Sequence, residues 1–328
     1  RSLFGAAHNR AVRLRRRARP RKASDDGRGC GAGRRFCDNY IRQLQKRGAD
    51  ADNIGDTLRF LMKGRKNSMN HTFAICAYKE SAYLEKCIKS LKNQTIKSNI
   101  ILVTSTPNDF LEEISKKYNL PYFINKGEKG ITQDWNYAYK MADTELVTIA
   151  HQDDVYLPEY AEHISKAVKG VKKPLIIFTD YAELRNEKPV YQNKLLKIKR
   201  IMLMPLRIRG LQKSKFVRRR ILAFGCPICC PSVTYMKKNL PKKIFKPGFR
   251  SDEDWEAWEM LSKRQGSFVY LNEIQMYHRI HEESETSVIL GDNARNKEDY
   301  IMFRKFWPVQ IAKLLAKVYA KSEKSNEL

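Results

Sequence analysis

Apolar residues from Met69 onward alternate between short unbroken runs and longer stripes spaced for a helix face. Residues 72–77 form a run with the character of a buried strand, and Leu84, Cys87, Ile88 and Leu91 follow at i, i+3, i+4, i+7 spacing. That is a strand, a turn and an amphipathic helix, with Ser81 available as the N-cap. The same alternation predicts strands over 99–104, 121–124 and 145–150, and helices over 108–118 and 132–142. Runs of about five and about eleven residues in repeated β-α-β order predict an α/β domain, a mostly parallel sheet covered by helices on both faces. Ligands of such sheets sit beyond the carboxyl ends of the strands, which directs attention to residues 78–81, 104–109 and 151–156. The pattern weakens after a strand-like run at 175–180. A basic stretch at 194–220 then precedes the loop 225–232, and the aromatic- and Leu-rich segment 300–319 reads as a helix closing the core.

Charge divides the chain. It carries 63 Lys and Arg against 36 Asp and Glu, a net of +27 over 328 residues, and residues 1–68 hold 19 of the basic and 6 of the acidic groups. The basic residues of this first fifth are mostly Arg, whereas Lys dominates later. We expect 1–68 to be a largely disordered basic extension, with helix-forming capacity only in 38–61, followed by the functional domain over 69–290 and a C-terminal helix over 291–328. The basic run 13–22 is expected to be a solvated tail, making nucleic acid an improbable partner although the excess charge attracts phosphate in general. At 42% hydrophobic, the chain can bury an ordinary core. No apolar run approaches the roughly 18 residues of a membrane span, so membrane contact is expected to be peripheral. Seven cysteines, an odd number with no signal peptide ahead of them, point to a reducing compartment and a cytoplasmic protein.

Asp153 and Asp154 stand at the mouth of the fourth strand, where adjacent carboxylates repel unless a cation shares them. A hard divalent ion, Mg2+ or Mn2+, would relieve this, taking oxygen ligands from the carboxylates and from substrate phosphates. The plain alternative is an Asp-Asp helix cap before Pro158.

Five segments in order resemble family-2-type glycosyltransferases with the GT-A fold, of the bacterial cell-envelope or capsule type. Residues 72–95 (TFAICAYKESAYLEKCIKSLKNQT) look like the family's opening strand and helix, and 152–158 (QDDVYLP) resembles its metal and nucleotide-sugar motif. Residues 228–235 (ICCPSVTY) fall where the family has an acceptor-side Ser-Val strand. Residues 251–258 (SDEDWEAW) resemble its Glu-Asp motif, and 277–281 (YHRIH) its Arg-x-His segment. The resemblance implies inverting, single-displacement transfer from a nucleoside-diphosphate sugar to a glycan or lipid-linked acceptor, assisted by a divalent metal. By matched position it makes Asp254 the general base and Asp154 a metal ligand, with Asp153 on the ribose, sugar or metal. Tyr78 would lie against the nucleobase, Glu80, Thr104 and Asn136 would contribute to the donor site, and Arg279 and His281 would reach the diphosphate or the metal.

The chain departs from the family in three places. Thr104, Ser105 and Thr106 stand where an Asp usually binds the base, His151 replaces the first Asp of the metal motif, and Trp135 replaces a common Arg. Cys226, Cys229 and Cys230 have CxxC spacing but no partner pair, so a buried apolar loop is expected. Trp255 and Trp258 either pack the helix behind Asp254 or offer a ring to an acceptor. The stretch 194–220 is either a solvated helix pair or a basic amphipathic surface for anionic lipid, placing the protein peripherally at the inner membrane face. Three rival readings remain: a nucleotidyltransferase, weakened by the lack of a Gly-rich loop after the first strand, a nucleic-acid-binding protein, and an inactive scaffold.

Overall fold

The computed structural model describes residues 70–281 and 294–324. The expected extension 1–68 with its helix-forming stretch 38–61, and the expected domain boundary at 290–291, lie outside the described residues. The first half is a run of β-α units: β1 (His71–Cys76), α1 (Leu84–Lys92), β2 (Asn99–Thr104), α2 (Asp109–Tyr118), β3 (Tyr122–Ile124), α3 (Ile131–Met141) and β4 (Leu146–His151). These four strands pair in parallel in the order β3-β2-β1-β4, so their carboxyl ends emerge on one edge. The second half supplies β5 (Val155–Tyr156), α4 (Tyr160–Val168), β6 (Pro174–Arg185), β7 (Lys188–Val190), α5 (Lys194–Leu203), α6 (Lys215–Leu222) and β8 (Val233–Met236). It ends with α7 (Glu253–Ser262), β9 (Ser267–Ile280), α8 (Ala294–Arg304) and α9 (Val309–Lys324).

The nine strands form one sheet, β3-β2-β1-β4-β8-β6-β9-β5, with β7 folded back on β6. Strands β5, β7 and β8 run against the other six, so the sheet is mixed but mostly parallel in strand direction. Alternation along the strands fills both faces. Phe73 and Ile75 of β1 point to one core cluster with Leu84, Cys87, Ile88 and Leu91 of α1, while Ala74 points to the other with Trp255 and Trp258. Strand β6 is buried along nearly its whole length because β8 and β9 flank it and helices cover it. Its two buried acids are paired: Arg200 of α5 donates from Nε to Asp180 at 2.6 Å, and Glu183 accepts from Arg185 and Asn193. The salt bridge with Asp180 fastens α5 to the sheet.

Two local expectations change. Helix α1 starts at Leu84 without a side-chain cap, and the Ser81 hydroxyl instead accepts from the Tyr83 N–H at 3.3 Å, shaping the turn before the helix. The C-terminal segment is two helices rather than one. Pro308 lacks an amide proton and biases Trp307 away from helical backbone, so the chain breaks there. Trp307 then donates its indole N–H to the Ala223 carbonyl at 2.6 Å, anchoring the break. Among the described residues no helix is long and apolar enough to cross a membrane.

Candidate active site

A cleft of about 1670 Å3 opens where the carboxyl ends of β1, β2 and β4 meet the end of β9 and the start of α7. Strand β4 delivers His151 in register with Cys76 of β1. The chain then turns into β5, which pairs antiparallel with β9 through Val155 and Tyr277 and presses the two acids between them against His278 and Arg279. Asp154 is fully buried. Its Oδ1 accepts from His278 Nδ1 at 3.0 Å and from the Arg279 backbone N–H at 2.9 Å. Its Oδ2 has no hydrogen-bond partner and lies 4.0 Å from His151 Nδ1. Asp153 accepts from His281 Nε2 at 3.0 Å.

His151, Asp153 and Asp154 offer ligand atoms that all lie within 4.8 Å of one another, the one such group of three among the described residues. Burial lowers the His151 pKa further than the two carboxylates raise it, so the imidazole is neutral and its lone pair free at neutral pH. Burial by itself would raise Asp153, but the His281 hydrogen bond and the charge of His278 leave it lowered. Burial would lower His278, yet Asp154 and Asp153 more than offset it and leave it raised. A buried carboxylate oxygen without a partner is costly unless a cation or donor supplies one. One imidazole nitrogen with two carboxylates is a donor set that fits a divalent ion such as Mn2+. His151, which the sequence reading counted as a lost carboxylate, thus lies in one cluster with the two expected acids, and His281 stands beside it at 3.0 Å from Asp153.

Asp254 lies in the first turn of α7, on the same cleft. Trp255 and Trp258 are wholly buried behind it, and the Trp255 indole donates to the Leu222 carbonyl at 3.0 Å, so neither ring is offered to an acceptor. The Asp254 carboxylate accepts the Trp255 N–H at 2.6 Å, and the Cys226 thiol sits 3.8 Å from its other oxygen. Burial pushes its carboxyl up to about 6, against the opposing pull of that N–H, Lys199, Arg295 and the thiol. Cys229 and Cys230 line the cleft as buried free thiols, the apolar loop expected from their spacing.

The other expected residues are distributed as follows. Tyr78 and Glu80 lie exposed on the cleft at the end of β1. Gln152 pins Tyr78 from both sides, accepting from its N–H at 3.0 Å and donating to its carbonyl at 3.1 Å, a role the sequence reading missed. Three expected donor contacts are not presented to the cleft. Thr104 is buried and bonded to Thr106. Both ends of the Asn136 amide are engaged, its Nδ2 by the Thr132 and Phe245 carbonyls and its Oδ1 by the Ile244 and Phe245 N–H groups. Arg279 is buried under the motif, its guanidinium 4.2 Å from the Tyr83 ring centre, its Nε donating to the Asp153 carbonyl and one amino group paired with Glu187. It positions the acidic pair rather than facing the cleft. Ser105 and Asp134, bonded at 2.6 Å, do line it beside Tyr78.

Comparison with known proteins agrees with this architecture. PcManGT, a mannosyltransferase from Pyrobaculum calidifontis solved with GDP-Man and Mn2+, aligns at TM-score 0.51 and 11% identity over 89% of this chain and 88% of its own. Glucosyl-3-phosphoglycerate synthase from Mycobacterium tuberculosis, solved with Mn2+ and UDP-glucose, aligns at TM-score 0.50 and 14% identity over 73% and 79%. Staphylococcus aureus TarS 1–349 with UDP-GlcNAc aligns at TM-score 0.49 and 16% identity over 76% and 70%. At such identities the likeness to the first two shows the fold, which is GT-A. No curated protein matches the chain significantly. A family model described as Glycosyl transferase family 2 matches residues 72–245, more than half of the chain and the whole span from β1 through the loop after β8, so the chain belongs to glycosyl transferase family 2.

Proposed function

We propose that this chain is an inverting, metal-dependent glycosyltransferase moving a sugar from a nucleoside-diphosphate donor to a hydroxyl of a glycan or lipid-linked acceptor. One observation carries the reading: a single cleft is lined both by His151 and Asp153, which cluster with the buried Asp154, and by a separate carboxylate, Asp254, raised to about 6. The Mn2+ and sugar nucleotides seen in the Pyrobaculum and mycobacterial enzymes support the same use of the strand-end cluster here. We assign the exposed Tyr78 ring, its backbone fixed by Gln152, to stacking on the nucleobase, supported by its position on the cleft rim with Glu80, Ser105 and Asp134.

In the reaction, ionised Asp254 takes the proton of the acceptor hydroxyl as that oxygen attacks the anomeric carbon. The bond from that carbon to the diphosphate oxygen breaks on the opposite face, so configuration inverts in one displacement. A divalent ion, when bound at the cluster, neutralises the charge gathering on the departing diphosphate and so favours the transition state over the ground state. Neutral His151 and the unpartnered Oδ2 of Asp154 are the atoms that would hold it, while His278, Arg279 and His281 keep the two carboxylates oriented.

Two isosteric substitutions test these assignments. Asp154→Asn should weaken Mn2+-dependent donor binding and slow turnover together. Asp254→Asn should leave donor binding intact and lower transfer to acceptor by about 100-fold or more. Equal weakening of donor binding in both variants would remove Asp254 from the role of base, and a product retaining the donor's anomeric configuration would end the inverting reading.

A further inference from the structure

Large apolar side chains exposed to solvent are concentrated in two places. Of the thirteen among the described residues, six lie between Ile198 and Phe224 and four on α9. In the first stretch Ile198, Ile201, Met204 and Ile208 recur every three or four residues along α5 and the turn after it, and Phe216 opens α6 at 72% exposure. On α9, Ile311, Leu314 and Val318 make one stripe, while Ala312 on the other side is buried in the core. The two stretches meet at a seam. Phe224 packs on Trp307 with ring centres 5.4 Å apart, and Gly225 approaches Tyr319 of α9 so closely that an added Cβ would lie 2.7 Å from its ring. Gly225 also holds a φ of +141°, so no other residue suits this junction.

Along the first stretch the charge is of one sign. Residues 188–251 contain 18 Lys and Arg and no Asp or Glu. Lys194, Lys197, Arg207, Arg209, Lys213 and Lys215 are exposed between the apolar positions, and Lys313 and Lys317 flank the α9 stripe. The tripeptide 218–220, the most basic-looking part of this stretch, is not part of that surface. Arg218 is buried, donating to the carbonyls of Ser262, Arg264 and Gly266. Arg219 pairs with Glu259 at 2.7 Å, and Arg220 stacks on Trp307.

We infer that the joined face of α5, the start of α6 and α9 docks on an anionic lipid bilayer. Exposed Ile, Met, Phe and Leu set among ammonium and guanidinium groups match a surface whose interior is apolar and whose headgroups are negative. A nucleic acid would satisfy the charge but gain nothing from aliphatic side chains, and a second copy of this chain would bring like charge against like. The face also borders the cleft. Helix α5 turns Leu195 and Lys199 into the cleft and Ile198 and Ile201 out to solvent, and Phe224 lies two residues before Cys226, the neighbour of Asp254. A bilayer seated there holds the cleft mouth close to the headgroup plane, where an acceptor anchored in lipid presents its hydroxyl. Docking itself does not depend on the glycosyl-transfer reading.

The test is flotation of the full chain with vesicles of phosphatidylcholine, with and without phosphatidylglycerol. The chain should bind only the anionic vesicles, and binding should fall steeply as salt is raised. The triple variant Lys197→Glu, Lys213→Glu, Lys215→Glu should weaken binding on the order of 100-fold. The quadruple variant Ile201→Ser, Ile208→Ser, Phe216→Ser, Leu314→Ser should also release the chain from vesicles while leaving its binding to heparin unchanged. All these positions are exposed, and unaltered thermal midpoints establish that both variants are folded. No binding to anionic vesicles at low salt would overturn the inference. So would vesicle binding that the serine variant retains in full, since that is the behaviour of a polyanion site, or a dimer in solution that the serine substitutions dissolve.

Discussion

Asp254 can accept a proton only while ionised, and burial has moved its carboxyl to about 6. The sign follows directly. Below that value the group is protonated and cannot serve as base, so turnover with acceptor should fall about tenfold for each pH unit below 6 and reach a plateau above it. Donor binding measured over the same range should not share that inflection. A pH profile of transfer that is flat between 5 and 7 would remove Asp254 from the step. Asp153 and Asp154 were legible in the sequence because they stand at the end of an apolar run, and Asp254 because its segment resembles the family's Glu-Asp motif. His151 stands where the resemblance has a carboxylate, and its nearness to Asp153 and Asp154, which brings an imidazole nitrogen into the same cluster, is visible only in the folded chain. Gln152 and His278 left no signal of their own. Each acts on a partner 74 or 124 residues away, brought into reach by the pairing of β4 with β1 and of β5 with β9.

Helix α8 bears on the turn before α7 although it lies beyond the residues matched by the family. Glu298 accepts the backbone N–H groups of Arg250 and Ser251, both at 2.9 Å, and the Ser251 hydroxyl at 2.8 Å, fixing the turn that leads into α7 and Asp254. Its next neighbour, Asp299, is buried close enough to Asp252 to help raise that carboxyl well above its usual range, after burial itself. Hydrogen bonds to a charged acceptor are worth more than neutral ones, so Glu298→Ala should cost about 2 kcal/mol of stability. It should also lower kcat for transfer while leaving donor affinity unchanged, because the turn it braces carries the base and not the strand-end cluster. Donor affinity that falls in step with kcat would make Glu298 merely structural. Strands β1 to β4 were readable from run length and spacing, since each is a short, largely apolar run and the first three lead into a helical stripe. Strand β9 was not. Its fourteen residues include Asn272, Glu273 and Gln275, and its pairing with β6 shifts register beside Thr179 and Asp180, so the alternation that marks a strand is broken within it.

Across the whole chain, charge and chemistry are separately placed. Among the described residues the nine-stranded sheet, both core clusters and every side chain assigned a role here lie after Asn70, whereas residues 1–68 hold +13 of the +27. A chain starting at Met69 should therefore fold, unfold cooperatively near the temperature of the full chain, and turn over sugar nucleotide at an undiminished rate. It should still bind anionic vesicles, because the basic and apolar residues of α5, α6 and α9 remain. Binding to heparin should fall more than binding to vesicles, since the remaining +14 includes the docking face but not the Arg-rich segment, and salt-sensitive attraction to a polyanion tracks total accessible charge. Measured side by side on the full and shortened chains, these two affinities separate the roles of the two basic regions. If the shortened chain is insoluble or inactive, residues 1–68 contribute to the catalytic domain and the boundary at Met69 is wrong. If it folds but loses the vesicles, the tail rather than the helical face is what meets the lipid.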